Sequence, residues 1–225
     1  MELTAGFVLT GAVIALQSSH ACLADAIFLY RNGRCASACI LGTIAGEHLG
    51  QFHWLIRKWE GMAQHPGSAE CGEFAEGLRR DHEMMFRDGL VSLQYNVPQS
   101  LAQLTQQLAS LKPEDPGFAD VANKLRLAYK KIWNRAPAKF YELRTTAQYV
   151  TPTEGCRSWS SPQDLSSDQV HDLLLNVGNC YRMILMFGLT DYPDVVRMAE
   201  QLGIKAELED YKNTWPPPEA DKFKA

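Results

Sequence analysis

The sequence predicts an all-α protein, an up-and-down helical bundle with additional helices toward the C-terminus. Three observations lead there. Apolar residues recur at helical spacing through most of the 225 residues. The longest runs lack proline, whereas proline, glycine and asparagine gather at short breaks between them. No internal repeat and no alternating pattern of useful length competes with the helical reading.

The first helix is expected from Leu3 to Tyr30, where nothing interrupts the apolar spacing. Arg31-Asn32-Gly33 closes it, since asparagine and glycine tolerate the left-handed backbone that ends a helix. A second long helix follows from Arg34 to Met62 and stops at His65-Pro66-Gly67-Ser68. A third spans Glu70 to Leu93, and Pro98 suits the first turn of a short fourth reaching Leu111. Lys112 to Gly117, KPEDPG, is a loop.

Helical spacing resumes from Phe118 to Gln148, with Pro137 expected to break or kink it. Thr151 to Leu165 is the longest irregular segment. Ser166-Ser167-Asp168-Gln169 then has the S-x-x-Q spacing of a capping box, opening a helix to about Phe187. Thr190-Asp191-Tyr192-Pro193 opens a last short helix. Residues 1–205 read as one domain, and 206–225, ending in PPPEADKFKA, as a tail.

Hydrophobic residues make up 46% and charged residues 21%, enough to build a packed core. A net charge of −4 argues against a general nucleic-acid binder, although a local basic patch is compatible with it. The six cysteines, Cys22, Cys35, Cys39, Cys71, Cys156 and Cys180, include no C-x-x-C pair. They read as reduced core residues of a cytoplasmic protein. AGFVLTGAVIAL, near the N-terminus, imitates a signal-peptide core but has no Lys or Arg before it. A dozen apolar residues are too few to span a bilayer, so no membrane association is expected.

IAGEHLGQ, Ile44 to Gln51, places Glu47 and His48 in the middle of the second helix. Gly42, Gly46 and Gly50 form a stripe beside them, each costing the helix about 1 kcal/mol relative to alanine. Such a stripe suits close approach of another helix, inside the bundle or between subunits. The neighbouring column is Cys35, Cys39, Thr43, Glu47 and Gln51. A carboxylate among such residues needs a partner or an outlet to water. Either Glu47 pairs structurally with an Arg or His of an adjacent helix, or it lines a functional polar site.

Candidate partners lie in LRRDHEMMFRDGL, where Arg79 and His82 share a helix face and Arg80 and Arg87 stand nearby. That face offers a fixed cation and a titratable group to Glu47 or to a phosphate; the plainer reading is a solvated charged surface. Di-iron bundles require Glu-x-x-His on two helices, and only Asp168-x-x-His171 approaches that spacing. Glu47, His48 and His82 could at most hold a single metal, so no metal and no cofactor is assigned. Walker, dinucleotide-binding, nucleophile-elbow and zincin motifs do not occur.

Three segments together resemble the AbiV-type abortive-infection proteins. ACLADAIFLYRNGRCASACILGTIAGEHLGQ is similar to their opening, with an Asp-Ala pair, a small basic turn and a helix carrying a Glu-Glu-x-Gly-Lys-like motif. RRDHEMMFRDGL is similar to their Asp-His segment. FYELRTTAQYVTPTEGCRSWSSPQDLSSDQVHDLL is similar to their Leu-Arg to Tyr-Val stretch, Trp-containing loop and capped helix. The likeness runs in register from Ala21 to Leu175, and the matching positions are Asp25, Glu47, Gly50, Asp81, His82, Arg144, Tyr149 and Trp159. The second Glu of the motif is His48 here, and its Lys is Gln51.

The resemblance implies a HEPN-like helical domain, a homodimer and a role in antiviral defence. HEPN ribonucleases pair an Arg with a His across four to six intervening residues, and none of the six histidines here has an Arg at that distance upstream. Arg144 is followed by Tyr149 instead, and a phenol is a poor general base at neutral pH. The expected function is therefore phage defence by binding RNA or a protein partner, including a phage-encoded one. Glu47, His48, Gln51, Asp81 and Tyr149 form the expected polar cluster. The alternative is a divergent, metal-independent ribonuclease using His82 with Arg79 or Arg144. A third possibility is a metal-binding helical-bundle oxidoreductase.

Overall fold

The computed structural model describes residues 3–64, 74, 82–90, 104, 107, 108, 110–112, 115–149, 151, 152, 159–185 and 192–208. These residues form an all-α structure: α1 (Ala5–Arg31), α2 (Cys35–Gln64), α3 (His82–Gly89), α4 (Phe118–Gln148), α5 (Ser167–Met183) and α6 (Pro193–Gln201). One antiparallel pair of two-residue strands, β1 (Thr151–Pro152) and β2 (Trp159–Ser160), interrupts the irregular segment after α4.

α1 and α2 form an antiparallel hairpin. Thr4 caps α1 by accepting the Phe7 N–H, and Gly33 turns the chain at φ +72°. Asn32 secures the turn by donating its side-chain N–H to the Phe28 carbonyl, at 2.8 Å. Val8, Leu16, Leu23, Ile27 and Tyr30 line the inner face of α1 against Leu49, Phe52 and Leu55 of α2 and the rest of the core. Buried Ser19 donates to the Ala45 carbonyl at 2.9 Å, so a polar atom inside this interface is paired.

Two local features and one long-range contact set α5 and α6. Ser166 caps α5 through the anticipated box: its hydroxyl accepts from Gln169 N, and the Gln169 side chain accepts from Ser166 N. Val170, Leu173, Leu174, Val177, Cys180 and Tyr181 then point a continuous stripe of α5 into the core. The Tyr30 hydroxyl meets Ser167 Oγ at 3.0 Å, tying the end of α1 to the start of α5. Pro193 occupies the first turn of α6, where its missing N–H costs nothing.

Two sequence expectations change. α4 continues through Pro137, which ends no helix here, so the flanking turns hold the structure despite the missing hydrogen bond. The apolar N-terminal run belongs to a 27-residue helix, and α1 is long and apolar enough to cross a membrane by length and composition. Half of that apolar window is buried inside the fold. Of the third expected helix only Phe74 and 82–90 fall among the described residues, and of the fourth only 104, 107, 108, 110 and 111. Most of the tail, 209–225, also lies outside them.

Candidate functional site

The glycine stripe of α2 decides where the site forms. A methyl group at Gly50 would overlap the Met85 carbonyl of α3, and one at Gly89 would overlap the Gly46 carbonyl. The backbones of α2 and α3 are therefore in direct contact, and only glycine fits at the crossing. Gly42 packs against Leu174 of α5, and Gly46 against Phe86 and Val177. The stripe is thus filled from within the bundle by α3 and α5. Arg57 of α2 and Asp88 of α3 add a 2.7 Å ion pair at the outer edge.

Glu47 lies within this crossing, between Gly46 and Gly50, and is buried, with 6% of its surface exposed. Its Oε2 accepts from His82 Nδ1 of α3 at 2.9 Å, and its Oε1 accepts from Arg144 Nη1 of α4. One carboxylate thus holds side chains from two other helices, and both of its oxygens are occupied. The three groups differ in access: the Arg144 side chain is 17% exposed, that of His82 70%. Arg144 is further seated by Tyr141, whose ring lies 5.6 Å from the guanidinium carbon and whose hydroxyl is 3.4 Å from Nη1. The Arg144 Nε–H is buried without a hydrogen-bond acceptor.

This arrangement has a definite chemistry. Holding Nδ1 of an imidazole on a carboxylate fixes the ring's orientation and, when the ring is neutral, its tautomer. Nε2 of His82 is left to accept or deliver a proton at the exposed edge, with a cationic guanidinium on the same carboxylate.

Not every expected residue joins the cluster. His48 points its Nδ1 to Gln51 Oε1 at 2.9 Å, a local bond within α2. Tyr149 ends α4 through its backbone N–H to the Thr145 carbonyl and is 60% exposed. Asp25 is on the exposed side of α1. Arg79 and Asp81 lie outside the described residues, and Trp159 is described only as part of β2. Among the described residues no three His, Cys, Asp or Glu side chains converge on a point that could hold a metal. Tyr141 was missed; its position one helical turn before Arg144 is the signal that pointed to it.

A second titratable group lies further along α2. His53 of α2 is largely enclosed, its Nε2 buried without an acceptor or donor partner. Burial, reinforced by the nearby Arg57 cation and opposed by Asp88, pushes its imidazole down from 6.5 to about 4. Among the described residues no disulfide is formed: Cys39 and Cys180 are buried, Cys22 and Cys35 partly so. Burial pushes the Cys39 thiol up to about 12, as befits a packing residue rather than a nucleophile.

Comparison with known proteins returns no matching family model, no matching curated protein and no matching solved structure.

Proposed function

We propose that this chain is an AbiV-like abortive-infection protein of the cytoplasm, acting against phage by binding RNA or a protein partner at the face where His82 stands over the Glu47–Arg144 pair. One observation carries the reading: the three segments that resemble the family contribute Glu47, His82 and Arg144, and these meet at one place. Glu47 and Arg144 form the buried base of this face, and His82 is its exposed element. A challenge assay tests it. Cells expressing the chain should show at least a tenfold drop in plaque number for some member of a broad phage panel, and His82→Ala should restore plaques. No effect across the panel overturns the proposal.

A second reading is favoured by the orientation of His82. With Nδ1 held by Glu47, its Nε2 suits a general base that takes the ribose 2′-hydroxyl proton as that oxygen bonds phosphorus; the P–O5′ bond breaks, the 5′-oxygen takes a proton from water, and Arg144 would offset charge developing on the phosphate. On this reading the chain is a metal-independent ribonuclease. Purified protein incubated with total RNA should produce fragments that His82→Ala does not. Equal cleavage by both proteins, or none by either, removes His82 from the chemistry.

A further inference from the structure

His82 combines two properties that the other described histidines lack. His20 is buried and stacked on Tyr181, with ring centroids 5.6 Å apart. His53 is enclosed, and His48 is held by the Gln51 amide rather than by an acid. His171 is half-buried beside Tyr30. Among the described residues only His82 has Nδ1 on a carboxylate and a side chain that is 70% exposed. An ionised carboxylate accepts hydrogen bonds and donates none, so Nδ1 carries the hydrogen and the neutral ring keeps its lone pair on Nε2. With Nδ1 turned to buried Glu47, Nε2 is the nitrogen left to the open side.

We propose that His82 is a phosphoryl-acceptor histidine, modified at Nε2 by an acyl phosphate. The Nε2 lone pair forms a bond to phosphorus while the bond from phosphorus to the acyl oxygen breaks. The electron pair of that bond leaves with the carboxylate product. No proton has to move, because the ring hydrogen stays on Nδ1 against Glu47. The ring gains positive charge as the N–P bond forms, and the Glu47 carboxylate, 2.9 Å from Nδ1, is placed to offset it. Arg144, on the other oxygen, compensates the same buried acid before and after transfer.

The exposure of the ring fits this chemistry. Displacement at phosphorus needs nucleophile, phosphorus and leaving oxygen in line. An open imidazole with a fixed ring offers that line to a small donor or to one carried on a protein. The product places negative charge over the Glu47–Arg144 pair, where a neutral or cationic ring stood. Hydrolysis of the N–P bond restores the ring, so the change in this face is reversible. This inference does not rest on the defence reading.

Incubation of the purified full chain with acetyl phosphate, and separately with a receiver domain carrying an aspartyl phosphate, tests it. Intact mass should rise by one phosphoryl group that is acid-labile, alkali-stable and attached at Nε2 by phosphorus NMR. His82→Ala, at an exposed position, should abolish the label, whereas His171→Gln should keep it. Glu47→Gln retains an acceptor for Nδ1 but not the charge, and should label at least tenfold more slowly. Should Glu47→Gln fail to fold, the unmutated chain unfolded in urea takes its place, with the same tenfold slowing expected at His82. Transfer from acetyl phosphate assigns a small-molecule donor, and transfer from the receiver domain alone a protein donor; either supports the proposal. Label from neither donor, label undiminished in His82→Ala, attachment at Nδ1, or equal rates with and without the Glu47 contact overturns it.

Discussion

His82 Nδ1 stands 2.9 Å from Oε2 of buried Glu47, across 35 residues of chain. The other oxygen of the same carboxylate takes Arg144, 97 residues away. The two partners do different work. Arg144 is enclosed and compensates a buried charge, whereas His82 is exposed and gains its orientation from the contact.

That difference is measurable. Glu47→Ala leaves a largely buried guanidinium without its counter-charge, and Arg144→Ala leaves a buried carboxylate with only the imidazole. Each should cost about 2–4 kcal/mol in urea unfolding. His82→Ala, at a solvent-screened position, should cost less than about 1 kcal/mol. The Glu47→Ala/Arg144→Ala double variant should be less destabilised than the sum of the singles, since both break the same interaction. Additive losses would mean that the two side chains are energetically independent.

Two glycines of α2 should respond to alanine in opposite directions. At Gly50 a methyl group has no space against the Met85 carbonyl, and backbone cannot retreat as a flexible side chain can. Gly50→Ala should therefore destabilise by about 2–3 kcal/mol or more by forcing α2 and α3 apart. Gly61 is exposed, helical and meets nothing within 4 Å. Gly61→Ala should stabilise by roughly 0.4–1 kcal/mol. Thermal melts of the two variants decide the matter, and equal shifts would contradict the close crossing.

His53 makes stability depend on mild acid. In the unfolded chain its imidazole takes a proton near pH 6.5, but in the folded chain only near 4. Between those values the unfolded state binds more protons, so stability is intact above about 6.5, falls as the pH drops, and is fully reduced below about 4. The loss over that window is on the order of 3 kcal/mol. His53→Leu, which packs without titrating, should remove this part of the slope in urea midpoints measured from pH 7 to pH 4.5. An unchanged slope would show that His53 takes up its proton without leaving its enclosure.

The sequence showed some of this and concealed the rest, for physical reasons. Caps and turns are local, so Asn32-Gly33 and the Ser166–Gln169 box could be read directly, and both occur where expected. The need of Glu47 for an Arg or His partner on an adjacent helix was legible from its apolar surroundings. That it would take one of each, from two helices, was not, because the choice depends on how α3 and α4 pack. The glycine stripe announced a close approach but not its occupant; that is settled by α3 and α5 lying over α2. Of the break or kink expected at Pro137 the break does not occur, because a proline's local cost, about 3 kcal/mol, can be absorbed by the rest of a 31-residue helix.

The antiparallel hairpin of α1 and α2 also has a consequence for biosynthesis. It is closed by a short turn and comes from the first 64 residues, so it can leave the ribosome and pair before α4 has been translated. Glu47 then waits as a hydrated acid on the nascent hairpin; His82 can reach it first, and Arg144 only after a long further stretch of chain has been added. The ion pair is in this sense a completion mark: a chain truncated before α4 would carry the hairpin and the His82 contact but lack the guanidinium that compensates the acid once it is buried.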